Sequence, residues 1–192
     1  MNEIILNLFN EKKYADLIVL CENNSLNLPL EDNKSIELTA KIIMLLDDYK
    51  KGALDLYEKS YKKGTGKHML RYFFFDNSYN DNQIHLDYFN NQKQLCDDLN
   101  VIIEQTNSEL RNYLANYIVE KLLEPVDDEH SFIEINLCAD DIFVKGFIKY
   151  VSQEKIEELN NTYASKKNKK KLLPTQLELA NEINNLYNTK LK

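Results

Sequence analysis

Glycine and proline are scarce in this sequence, with four glycines and three prolines in 192 residues. Turn dipeptides between the apolar runs are correspondingly few. This argues against an all-β sandwich and against an α/β enzyme built on glycine loops. Arginine is rarer still, only Arg71 and Arg111, so the bidentate forks that read phosphates and guanine edges are nearly missing. The net charge of −7 and the acidic balance repel phosphate backbones and anionic membranes, so nucleic acid is not the expected partner. Cys21, Cys96 and Cys138 are far apart, each in an apolar stretch. That pattern fits reduced, buried thiols and neither a disulfide framework nor a CxxC metal site. No apolar run approaches the roughly 18 residues of a membrane span, and Met1-Asn2-Glu3 lacks the basic start of a secretory signal. The expectation is a cytoplasmic chain with no membrane contact.

Apolar residues make up 43% of the chain against 29% charged, enough for core burial to offset chain entropy. Their spacing is helical. Ile4, Ile5, Leu8 and Phe9 recur on one stripe, and after the polar break Asn10 to Lys13 so do Tyr14, Leu17, Ile18 and Cys21. The Asn-rich stretch Glu22 to Lys34, with Pro29, reads as a loop, and Ser35 is the candidate N-cap of a helix carrying Ile36, Ala40, Ile43 and Met44. A second polar break at Asp47-Asp48 precedes Tyr49, Ala53, Leu56 and Tyr57, with Gly64 as the stop.

These two units superpose at an offset of 35 residues, which places Tyr14 on Tyr49, Leu8 on Ile43, Ile5 on Ala40 and Cys21 on Leu56. The pattern resembles the tetratricopeptide repeat, a helix-turn-helix unit with an aromatic after the turn and small residues at the helix crossing. Tyr14 and Tyr49 match the aromatic, and Ala40 and Gly52 the small positions. Ile5 and Leu17 stand where the first unit would carry small residues. The resemblance covers about residues 1–64. It implies protein recognition through a groove lined by the first helix of each hairpin, on which Asn2, Leu6, Phe9, Lys34, Glu37 and Lys41 are the partner-binding candidates.

Beyond residue 64, the run Met69 to Phe75 is too continuous to be given a period and fits a buried helix or a short strand. Two helices are expected near 83–105 and 107–124, divided by a capping box of Thr106 and Glu109. Residues 131–137 alternate like one short strand without an evident partner. A helix capped by Asp140 or Asp141 should run to about Asn160, and a last helix should follow Pro174. The fold expected is therefore all-α in a single domain over 1–192, with at most one short strand. Repeat-like hairpins occupy 1–64, a helical bundle 67–164, a lysine-rich linker 165–173 and a C-terminal helix 174–192.

Motifs that carry bond chemistry are weak. Gly64-Thr65-Gly66-Lys67 lacks both the earlier glycine and the following Ser or Thr of a phosphate-binding loop, and reads as a helix stop. His68, His85 and His130 lack zinc-ligand spacing. The acidic cluster Asp127-Asp128-Glu129-His130, even with Asp140 or His85 nearby, reads as a solvated loop after Pro125. The run Lys166 to Lys171 has no interleaved aromatic and reads as a solvated linker rather than an RNA-binding strip. No cofactor, metal or catalytic residue is expected. The expected function is a non-enzymatic adaptor that binds a protein through a helical groove. The alternative is an acidic inhibitor or immunity-type protein that covers the basic active site of a toxin or nuclease. Carboxylates contiguous on one face would mark that alternative.

Overall fold

The computed structural model describes residues 2–62, 93–124, 146–163, 168, 172 and 174–190. Every regular element among them is a helix. α1 spans Glu3–Asn10 and α2 Tyr14–Glu22. Asn2 caps α1, its side chain accepting from the Ile4 amide at 2.9 Å, which satisfies one of the orphan donors of a helix start. Both helices end in the same device. At α1, Lys13 N–H donates to Leu8 C=O and Lys12 N–H to Phe9 C=O; at α2, Ser25 pairs with Leu20 and Asn24 with Cys21. This is a Schellman closure, and it holds Lys12 (φ 56°) and Asn24 (φ 51°) in the left-handed region. The α1–α2 hairpin thus forms where the sequence places it.

The second hairpin does not. α3 is one continuous helix, Leu30–Lys62, about 50 Å long at 1.5 Å per residue. The turn expected at Asp47-Asp48 is absent, because neither glycine nor proline interrupts the chain there and aspartate costs a helix interior only a fraction of a kcal/mol, roughly 0.7 at most. Nor is Ser35 the N-cap. The helix starts just after Pro29, whose carbonyl accepts the Asn33 amide at 2.9 Å. Ser35 lies inside the helix with its hydroxyl donating to Asp32 C=O at 2.9 Å. Asp32 and Asn33, which read as loop, are buried and bonded: Asn33 Nδ2 donates to Cys21 C=O at 2.7 Å, and Asp32 Oδ1 accepts the Asn107 amide at 2.7 Å. Between Asp32 and Ile43 only Lys34 and Lys41 escape burial. Over Asp32 to Ile43, α3 is therefore covered on nearly all sides.

Residues 93–102 are helical and bury Cys96 and Leu99, with Ile103 in the turn that follows. α4 spans Ser108–Leu123. Its cap is Asn107, one residue later than expected, with Oδ1 accepting from Glu109 and Leu110 amides at 3.0 and 3.4 Å. Thr106 instead turns its hydroxyl to Ile102 C=O at 3.1 Å. Asp32 supplies from another helix what the Glu of a capping box supplies locally, an acceptor for the cap residue's own N–H. α4 runs parallel to α3, since Asp32 meets Asn107 and Asp47 lies close enough to act on the charge of Lys121.

The helix expected to run from Asp140 or Asp141 to Asn160 is interrupted. Residues 146–148 are helical, 149–152 turn, and α5 spans Gln153–Tyr163. Ser152 makes the break. Its Oγ accepts the Lys155 amide at 3.3 Å as an N-cap, while Asn116 of α4 both accepts its N–H at 2.8 Å and donates to its Oγ at 3.0 Å. α6 spans Pro174–Lys190, close to expectation.

The core is continuous. α2 packs on α3, α3 on α4, and α5 and α6 pair with each other while α6 also touches α4. α4 buries two neighbouring stripes about 100° apart, Leu114, Ile118 and Leu122 on one and Ala115, Val119 and Leu123 on the other. The C-terminal hairpin also closes α4's end. Gln176 Nε2 donates to Leu122 C=O at 2.8 Å and Glu124 C=O at 2.9 Å, and Tyr163 OH donates to Leu123 C=O at 2.8 Å. Several sequence expectations lie outside the described residues: the Gly64–Lys67 stop, the Met69–Phe75 run, Arg71, all three histidines, the 127–130 cluster, the 131–137 strand, Cys138, Asp140 and Asp141. So do the lysines of 166–171.

Candidate interaction surfaces

The six partner-binding candidates do not share one open groove. Phe9 is wholly buried. Its ring lies 4.8 Å from the Tyr117 ring, 5.7 Å from Tyr113 and 6.3 Å from Tyr14, centroid to centroid. It is a core anchor, which corrects its assignment to a binding face. The signal was in the sequence: Phe9 sits four residues after Ile5 on the same apolar stripe, and both are buried. Asn2 is occupied as a helix cap, and Leu6 is half-buried on α1. α1 packs on α2 and has no comparable packing on α3 among the described residues.

Lys34, Glu37 and Lys41 stand together on the open stripe of α3. Both ammonium groups bind the same Glu37 oxygen, Oε1, at 3.2 and 2.7 Å, and Lys41 also reaches Glu22 Oε1 on α2 at 3.4 Å. The Glu37 side chain is only 11% exposed. Burial pushes its carboxyl upward, but the hydrogen bonds from Lys41 and Lys34 outweigh that and hold it below the usual range. Glu22 on α2 completes the neutralisation of this row, whose middle member is a buried structural carboxylate.

Behind Phe9 lies a polar seam. Tyr14 OH and Tyr117 OH are 2.6 Å apart, and Tyr117 OH donates to Phe9 C=O at 3.2 Å. Burial raises both phenols, and it raises Tyr113 to about 12. Lys121 is buried beside them, 5.7 Å from the Tyr117 ring centroid and 2.5 Å from Glu124 Oε1. Burial lowers its ammonium, yet the Glu124 hydrogen bond and neighbouring charges win and raise it. Lys121 therefore stays protonated, unsuited to act as a nucleophile near neutral pH. Burial likewise lifts the Cys21 thiol to about 12, far from the reactive thiolate range.

A different face is open. On the 93–102 helix, Cys96, Leu99 and the adjoining Ile103 point inward, while Gln94, Asp97, Asp98 and Val101 point outward, followed by exposed Glu104 and Gln105. Val101 is 68% exposed. Asp98 accepts from Gln94 at 2.9 Å. Glu104 pairs with Lys149 at 2.6 Å and accepts from Tyr150 OH at 3.1 Å, which holds its carboxyl below the usual range. Arg111 stacks 4.3 Å from the Tyr150 ring centroid and donates to Glu104 C=O at 3.1 Å. No residue of this acidic face was among the sequence candidates. Its signal was Asp97 and Asp98 at helical spacing from an apolar Val101, on the side opposite Leu99.

Among the described residues, no group of three His, Cys, Asp or Glu side chains is placed to hold a metal ion. No helix among them is long and apolar enough to cross a membrane. Comparison of the chain with family models, with curated proteins and with solved structures finds no match.

Proposed function

We propose that the protein is an interaction module that binds another protein without bond chemistry, and that its partner presents a basic surface with an apolar contact. The observation that carries this reading is the outward face of residues 94–105, where exposed carboxylates surround a valine 68% open to solvent. Rim charges of this kind steer a partner of opposite sign, and the apolar centre supplies the short-range contact. The overall charge of −7 acts in the same direction. This is the arrangement expected of the acidic inhibitor alternative. The groove reading keeps Asn2, Leu6, Lys34 and Lys41, since Phe9 and Glu37 are committed to the interior.

The test is affinity capture from the source cell at low and high salt with four forms of the full chain. They are the wild type, Asp97→Asn/Asp98→Asn/Val101→Ser, Lys34→Glu/Lys41→Glu, and a control, Glu178→Gln/Glu182→Gln, that removes as many charges from α6. Support is a protein held by the wild type and the control, lost from the triple variant and released by salt. Loss confined to the lysine variant transfers the site to the groove provided that this variant keeps the wild-type helicity and urea midpoint, since its lysines also hold the buried Glu37 carboxylate. Equal retention by all four forms refutes both surfaces as the site, and no retained protein refutes the module.

A further inference from the structure

No further inference is drawn: the strongest candidate, the surface side-chain cluster in which Arg111 and Lys149 flank the Tyr150 ring beside Glu104, closes on its own ion pair, hydrogen bonds and ring stacking, and nothing in the structure shows what would cover it.

Discussion

The paired hydroxyls of Tyr14 and Tyr117 permit a sharp test of how the N-terminal hairpin is held to α4. Tyr117→Phe removes the group that donates to Phe9 C=O and faces Tyr14 OH at 2.6 Å. Phe9 C=O keeps the Lys12 amide at 3.1 Å, so it is not orphaned. Tyr14 OH is, on a side chain 5% exposed. One lost hydrogen bond costs about 1 kcal/mol and a buried hydroxyl left without a partner about 1–2 more, so Tyr117→Phe should cost about 2–3 kcal/mol. Tyr14→Phe should cost only about 1 kcal/mol, because Tyr117 OH retains Phe9 C=O. The double variant leaves no orphan, so it should cost about 2 kcal/mol, less than the sum of the singles by about 1–2 kcal/mol. Urea unfolding of the four proteins measures this cycle, and an unchanged m-value shows that compactness is not what changed. Additivity within about 0.5 kcal/mol, or a Tyr14→Phe loss exceeding that of Tyr117→Phe, would refute the coupling drawn from the geometry.

Thr39 is wholly buried on α3 and its hydroxyl has no hydrogen-bond partner; Thr39→Val keeps the shape and should stabilise the fold by about 1 kcal/mol in thermal or urea unfolding, whereas a loss would mean that the hydroxyl is bonded. Lys12 holds φ 56° in the closure of α1, where a side chain costs about 1–2 kcal/mol and glycine about half of that in chain entropy, so Lys12→Gly should raise stability by about 0.5–1 kcal/mol. The pH dependence follows from the raised phenols. A folded Tyr113 that holds its proton to about 12, against 10.0 for the ordinary group, binds more protons than the unfolded chain above pH 10. Stability should therefore be unaffected by these groups below pH 10 and fall as pH climbs through 12. Phenolate absorbance should rise late and together with loss of helicity, and an early, independent rise would overturn the assignment.

The parts of the fold legible in sequence are those where one apolar stripe meets one core. α1, α2 and α6 each bury residues at helical spacing, although Ile4 of α1 and Val19 of α2 stay exposed, so periodicity finds these helices within a residue or two. α3 defeats that logic. Its first turns carry Glu31, Asp32, Asn33 and Ser35, a composition that resembles a loop because such side chains compete for backbone groups. They are helical here because partners distant in sequence satisfy them, Cys21 C=O for Asn33 and the Asn107 amide for Asp32. The same cause misplaced Glu37: its neighbours at i−3 and i+4 are lysines, and a helix face of three charged residues reads as solvated until α2 is seen to bury its centre. The acidic face escaped notice for the opposite reason. Exposed carboxylates are ordinary, and only the inward placement of Leu99 and Ile103 shows that Asp97, Asp98 and Val101 share one outward side.

These remote satisfactions converge on α4. Its first turn is completed by Asp32, in sequence 75 residues before the Asn107 amide it accepts, and its last carbonyls by Gln176, which stands 54 residues after Leu122. Neither end of the helix closes on side chains beside it in the sequence alone. Held in the fold without these partners, α4 would keep unsatisfied amides at one end and carbonyls at the other, each a loss of about 1–3 kcal/mol when kept from water. The parallel pair α3–α4 and the α5–α6 hairpin are thereby tied to one frame. The turn joining the 93–102 helix to α4 is held by the same Asp32–Asn107 bond. The carboxylates of that outer face are consequently presented from a fixed base, so a partner of the kind proposed would pay little ordering entropy for the chain it touched.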